Sequence, residues 1–285
     1  MEIVRDAAIT VTFGPGSKHA GTICYALDAK VLGAANANPN VAAVITTPEL
    51  TGRVDASKGC IASARPQRTF YDLHNRLFDM GRLHPHEESS IDPTAQVAPS
   101  AILGRNVSLG TDVVVDHGAI VDDFTVVGDG TYIGPNAVIG ARGVYNTHMD
   151  GENVMVRCAG AVRIGKRCEI LAGAVIAKPY LAELTEIADD VKIGARAIVG
   201  HGCRIGSSTI VGAGSVIAGN ASVGRQVWIG PTVSVAEGRN IGDQARVLIG
   251  SVAIRDVPTG ETVSGNFAFP HAAHLLQFIR RLVAK

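Results

Sequence analysis

An aliphatic residue recurs at every sixth position through more than half of this chain. Ile91, Val97, Leu103, Leu109, Val115, Val121, Val127, Ile133 and Ile139 stand in unbroken register. The register returns through Cys158, Ile164, Ile170 and Ile176, then runs from Ile187 through Ile193, Val199, Ile205, Val211, Ile217, Val223, Ile229, Val235 and Ile241 to Val247. Gly or Asp often follows the aliphatic residue, and a small or β-branched residue often stands four positions after it, as in Ile133-Gly-Pro-Asn-Ala-Val and Val211-Gly-Ala-Gly-Ser-Val. Each hexapeptide therefore reads as one short strand and one turn. The aliphatic and small positions point inward, and Gly, Asn or Asp accepts the tight turn. Three such strands close a triangular coil, and stacked coils form parallel ladders at about 4.8 Å spacing. Each coil buries its faces only against its neighbours, so the stack needs caps at its ends. The register predicts a mainly β, parallel β-helix over residues 91–257.

The composition agrees with a repetitive aliphatic interior. Hydrophobic residues make up 46% of the 285-residue chain, aromatic residues only 5%, and there are 33 glycines. That aliphatic content is too high for disorder. Lys and Arg balance Asp and Glu at 26 each, so no global field attracts nucleic acid or an anionic membrane, and neither is expected as a partner. Cys24, Cys60, Cys158, Cys168 and Cys203 are odd in number and lack CxxC spacing, which speaks against a disulfide framework or a zinc site. The N-terminus has no basic segment followed by an apolar core, and no stretch of about 18 apolar residues occurs anywhere, so neither export nor a membrane span is expected. A cytoplasmic location fits these features.

The ends lack the six-residue register. Residues 1–85 read as a small α/β domain, with strands at Ala8–Phe13, Thr22–Ala26 and Val41–Ile45 and an amphipathic helix over Gln67–Met80. Gly81–Ser90 is polar and contains Pro85, as a linker would. Residues 258–285 form a C-terminal extension in which Pro270 precedes a second amphipathic segment, with Leu275, Leu276, Ile279 and Leu282 on one face. Two interruptions break the repeat, at 140–157 and 178–186. The first carries Tyr145, His148 and Asp150, and loops that leave a rigid scaffold tend to carry function.

Nine histidines are present, but only His117 and His201 lie within unbroken hexapeptides. In Val199-Gly-His201-Gly-Cys203-Arg-Ile205 the inward positions are Val199, Cys203 and Ile205, so Cys203 is expected to be buried and His201 to face out of the wall. A histidine with a pKa near 6.5 can take a proton from an attacking amine or hydroxyl. His117, in Val115-Asp-His-Gly-Ala-Ile, has the same local pattern, and the pattern alone does not choose between them.

The segment VGHGCRIG resembles the segment that carries the catalytic histidine in UDP-3-O-acylglucosamine N-acyltransferases of the lipid A pathway, members of the hexapeptide-repeat acyltransferase superfamily. GTICYALD (Gly21 to Asp28), VAAVITTPE (Val41 to Glu49) and SGNFAFPH (Ser264 to His271) are similar to further segments of that family, in the same order along the chain. The resemblance implies a left-handed β-helix and a homotrimer whose loops reach toward the adjacent subunit. It implies transfer of an acyl group from a thioester, on acyl carrier protein or coenzyme A, to the amino group of a UDP-linked amino sugar. No other cofactor is implied, and the donor would lie in a groove between adjacent solenoids. Carried over by position, His201 is the general base and the Gly219 amide the oxyanion donor. Tyr25 falls on the aromatic that stacks on uracil and Asp28 on an asparagine that contacts it.

The chain departs from that family at four places: Asp28 is a carboxylate in place of the amide, Gly202 follows the histidine where the family has Asn, Gly238 stands near the family's second histidine, and Phe267 and Phe269 alter the exit motif. Two other readings stay open beside it: a coenzyme A-dependent nucleotide-sugar N-acetyltransferase, and a noncatalytic sugar-nucleotide-binding relative. A zinc-dependent carbonic anhydrase of the same helix type would need three converging histidines, and no closely paired histidines occur in the solenoid. GPGSK (Gly14 to Lys18) lacks the spacing of a phosphate loop and reads as a turn. Asp122-Asp123 and Asp189-Asp190 fall on turn positions, where Asp bonds the local backbone. Trp228 and Tyr132 read as packing residues.

Overall fold

The computed structural model describes residues 1–83, 89–143, 146–181 and 183–265. The expected C-terminal helix, with Phe267, Phe269 and His271, lies outside the described residues, as do Pro85 and Tyr145.

The repeat folds as its register predicts. Strands two residues long, such as Val114–Val115, Ile198–Val199 and Arg204–Ile205, stack into three parallel faces of nine, eight and eight strands among the described residues. Val114 pairs with Gln96 on one side and Tyr132 on the other, one coil apart each way. The inward residues form one continuous core from Val107 to Val257. Cys203 lies in that core, and burial pushes its thiol up to about 11. The corners use the left-handed backbone region, often at Gly, Asn or Asp, for example Gly202 (φ +67°) and Asn220 (φ +59°). The ladder continues to Thr262–Val263, which pairs with Arg246–Val247. The solenoid therefore runs past the expected end at 257.

The three faces differ in what they turn outward. One eight-stranded face presents Ile102, Ile120, Val138, Val175, Ile198, Val216, Ser234 and Val252 in a single column. The other presents mainly polar residues, among them Arg163, Glu186, Arg204, Ser222 and Asn240. We call these the aliphatic face and the polar face. Both interruptions leave from the corner where the aliphatic face passes into the polar face. The first follows strand Val138–Arg142 and the second follows strand Val175–Lys178. Their effect on register is plain in the ladder: Tyr132 aligns with Glu169 rather than Asp150, and Glu169 with Lys192 rather than Ile187.

The N-terminal domain is a five-stranded sheet in the order β1-β5-β4-β3-β2, formed by β1 (Glu2–Arg5), β2 (Val11–Thr12), β3 (Thr22–Ala26), β4 (Val41–Thr46) and β5 (Gly59–Ala62). Only β1 is antiparallel to its neighbour. Helix α1 (Ala29–Ala37) covers one side of the sheet, where Cys24, Ala26, Val44 and Cys60 pack with Leu32 and Ala35. Helix α2 (Pro66–Asp79) covers the other, where Ile23, Ala43 and Ile45 meet Phe70 and Tyr71. The almost continuous burial along β3 and β4 is what a sheet covered on both faces requires.

The first interruption is a hairpin of strands Asn146–Met149 and Glu152–Met155, turned by Asp150 and Gly151 with φ +54° and +80°. It packs against this chain's own N-terminal domain. Met149 and Val156 enter the α2-side cluster beside Leu181. Arg65 pairs with Asp150 and Arg68 with Glu152, both at 3.2 Å. Asn75 bonds the Met155 carbonyl and the Arg157 amide.

Candidate active site

His201 stands on the same corner as the two interruptions, in the first regular turn beyond them. Strand Ile198–Val199 delivers it from the aliphatic face, and strand Arg204–Ile205 carries the chain into the polar face. Residues of both interruptions come over it. The Tyr180 ring meets the imidazole edge-to-face with centroids 5.8 Å apart. A methyl group on Gly143 would lie 3.9 Å from Cδ2. His201 is half-buried, and its Nδ1 is shielded from solvent with no hydrogen-bond partner among the described residues.

Gly219 lies one coil on, as the register predicts. The Asn220 amide donates to the His201 carbonyl at 2.7 Å, which locks the two turns together. A methyl group on Gly219 would fall 2.5 Å from Nε2 of His201, so any side chain there would displace the ring. The Gly219 amide makes no hydrogen bond among the described residues. An imidazole nitrogen and a free backbone N–H thus stand side by side. That pairing can accept a proton from a nucleophile and donate to an oxyanion.

His117 is placed differently. It follows a strand of the nine-stranded face, on another corner, where it is exposed and its Nδ1 lies 3.1 Å from Ser100 Oγ. One coil above it stands Pro135, the counterpart of Gly219, which has no N–H to offer. The sequence already contained this distinction eighteen residues beyond each histidine.

Glu183 is the residue that the sequence did not signal. The second interruption brings it to the His201 turn, where the Glu183 amide bonds the Leu181 carbonyl and its carbonyl receives the Ala161 amide. Its Oε2 would lie 3.7 Å from a methyl group on Gly202. Burial raises its carboxyl above the ordinary value, and the charges of His201, Arg204 and His19 act in the opposite direction. The side chain makes no hydrogen bond or ion pair among the described residues. It lines a cleft of about 560 Å³ between the N-terminal domain and the solenoid, opposite Lys18 and His19.

The remaining expected site residues lie in the N-terminal domain. Tyr25, at the end of β3, is half-buried against Phe70 and Tyr71, with centroids 5.2 and 6.1 Å away. It shares an apolar cluster with Tyr180. Asp28 is exposed and caps α1, its Oδ1 accepting from the Lys30 and Val31 amides at 2.8 Å each. Gly238 donates its amide to the Gly219 carbonyl. His148 bonds Asn153 across the hairpin. One aspartate of each pair serves the turn, Asp123 accepting from the Arg105 amide and Asp189 from the Lys166 amide, whereas Asp122 pairs with Lys178 and Asp190 with Arg167. Tyr132 donates to Asp116. GPGSK forms a turn closed by the Ser17 amide on the Gly14 carbonyl. No cluster of three His, Cys, Asp or Glu side chains able to hold a metal occurs among the described residues. No helix among them is long and apolar enough to cross a membrane.

Comparison with known proteins agrees with the fold. Residues 185–219, which include both His201 and Gly219, match the family described as bacterial transferase hexapeptide (six repeats). No curated protein sequence matches the chain. Among solved structures, a UDP-N-acetylglucosamine acyltransferase from Francisella novicida is 22% identical with a TM-score of 0.51, over 68% of this chain and 72% of that one. A UDP-N-acetylglucosamine acyltransferase from Campylobacter jejuni is 18% identical with a TM-score of 0.40, over 67% of this chain and 78% of that one. By repeat and by fold, the chain is a left-handed parallel β-helix, and one stretch of it, residues 185–219, matches the bacterial transferase hexapeptide.

Proposed function

We propose that the protein transfers an acyl group from a thioester to the amino group of a UDP-linked amino sugar, with His201 as general base and the Gly219 amide as oxyanion donor. The observation that carries this reading is the juxtaposition of His201 Nε2 with the unengaged N–H of Gly219, on a corner where both register breaks converge. In this mechanism the imidazole removes a proton from the amine as its nitrogen attacks the thioester carbonyl. The Gly219 amide then stabilises the oxygen of the tetrahedral intermediate. Collapse expels the thiolate, which takes the proton back from His201.

The other parts follow from the shape of the molecule. The thioester arm, on acyl carrier protein or coenzyme A, runs along the polar face, where a groove of about 970 Å³ passes Glu186, Arg204, Ser222 and Asn240. Tyr25 and Asp28 are the nucleoside-binding residues of the N-terminal domain. The protein assembles as a homotrimer through the aliphatic face, whose outward column is too long and apolar to suit water. The fold likeness to UDP-N-acetylglucosamine acyltransferase supports this family of reactions.

The test is direct. His201→Ala lowers turnover of an amino-sugar nucleotide and an acyl thioester by about 10²–10⁴-fold, the range of a lost general base, while the far-ultraviolet circular dichroism stays unchanged. Near-normal turnover, read by product mass, sinks the assignment.

A further inference from the structure

The cleft next to the His201 turn contains one acidic group, Glu183, whose side chain makes no hydrogen bond or ion pair among the described residues. Its lining comes from Lys18, His19 and Ala20 of the N-terminal domain, Leu83 of the connecting segment, and Ala159, Ala161, Glu183 and Leu184 of the solenoid, with Thr10 and Val11 of the loop into β2 and of β2 itself. Most of the lining on the solenoid side is aliphatic, and Glu183 is the only carboxylate on either wall. A carboxylate partly withdrawn from water and free of hydrogen bonds within the protein is available to accept from a ligand donor. Gly202, next to His201 in the chain, marks how near the carboxylate comes to the histidine turn: a Cβ on it would lie 3.7 Å from Glu183 Oε2.

We propose that Glu183 is a catalytic residue that receives the ammonium group of the acceptor sugar in this cleft and takes its first proton. The proposal rests on the acyl-transfer reading above and names the acceptor class for it: a primary amine that arrives charged, rather than a hydroxyl. An amine attacks only as the free base, so two protons must leave its nitrogen in all. The ammonium gives the first to the Glu183 carboxylate, leaving a neutral amine and a neutral carboxyl group. That amine forms the C–N bond at the thioester carbonyl, and the C–S bond breaks when the tetrahedral intermediate collapses. His201 takes the second proton and returns it to the departing thiolate, and Glu183 releases the first to solvent. The products are the amide, the thiol and one proton. Lys18 on the opposite wall gives the cleft a cationic side, so a ligand with an ammonium at one end and phosphate at the other fits its charge order.

The discriminating probes are UDP-glucosamine and UDP-glucose, which differ at the amine, titrated calorimetrically into the full chain. The wild type is expected to bind UDP-glucosamine about tenfold or more tightly than UDP-glucose, the range for a charged hydrogen bond. Glu183→Gln, equal in shape, erases that preference while UDP-glucose binding stays as in the wild type. Glu183→Asp keeps part of it. Equal binding of the two ligands by the wild type overturns the proposal and leaves the nucleotide-sugar reading standing. Retention of the preference by Glu183→Gln also overturns it. Binding of neither ligand by the wild type overturns both.

Discussion

At the scale of single residues, a histidine on this solenoid is useful or idle according to what stands one coil above it. Gly219 offers His201 a free N–H and room for the ring, whereas Pro135 above His117 offers no donor. A second histidine shows another use of the same side chain. His74 on α2 is fully buried, with Nδ1 2.6 Å from Thr12 Oγ1 and Nε2 2.8 Å from the Arg157 carbonyl. A neutral ring satisfies both, accepting the hydroxyl and donating to the carbonyl. Burial holds its pKa below the ordinary 6.5. As pH falls, the unfolded chain therefore binds this proton before the folded one does. The His74 contribution is complete above about pH 6.5 and declines below it until the folded value is passed. The melting temperature of the wild type is expected to fall more between pH 7.5 and 5.5 than that of His74→Gln, as followed by circular dichroism. Much at this scale was legible: the six-residue register put Cys203 inside and Gly219 beside His201. Glu183 was not, because it reaches the site only through a register break, where no periodicity says which way a side chain points. Asp28 shows the opposite difficulty. Read as a ligand by resemblance, it also carries an N-cap signal for α1, a helix that the sequence reading left out.

At the scale of elements, the two breaks in the repeat do the positioning. Strand Val175–Lys178 runs past its usual length into the corner, and this buries Lys178, which is 4% exposed and pairs with Asp122 at 2.9 Å. A buried ammonium that loses its partner is left uncompensated, whereas the more exposed Asp122 can turn to water. Asp122→Ala is expected to destabilise the chain by about 3 kcal/mol and Lys178→Met by less than about 1 kcal/mol, measured by denaturant unfolding. The hairpin of the first break had a signal in the Asp150-Gly151 pair, a strong turn dipeptide. What the sequence could not supply is the surface it meets. The contacts of Met149, Val156 and Leu181 with Phe70 and Tyr71 join segments far apart in the chain, and no local pattern encodes such a meeting.

At the scale of the whole molecule, the solenoid has one apolar side that no other element covers among the described residues. Ile198 and Val216 are adjacent on the aliphatic face, in the strands that lead into the turns of His201 and Gly219, so an interface there would set two copies of the site at its edge. Charging that face should break the proposed trimer. Val216→Glu is expected to reduce the particle mass in light scattering from that of three chains to one, with the circular dichroism spectrum kept; an unchanged mass would rule this face out as the contact. The hairpin carries a consequence of another kind. Because it fastens the N-terminal sheet to the very coils that hold His201, those lower coils are the part of the molecule that tolerates no rearrangement. The coils between Ser222 and Ala253 keep their eighteen-residue spacing without a break. They form an interchangeable shaft, which evolution or an engineer can lengthen or shorten by whole turns while the working corner keeps its shape.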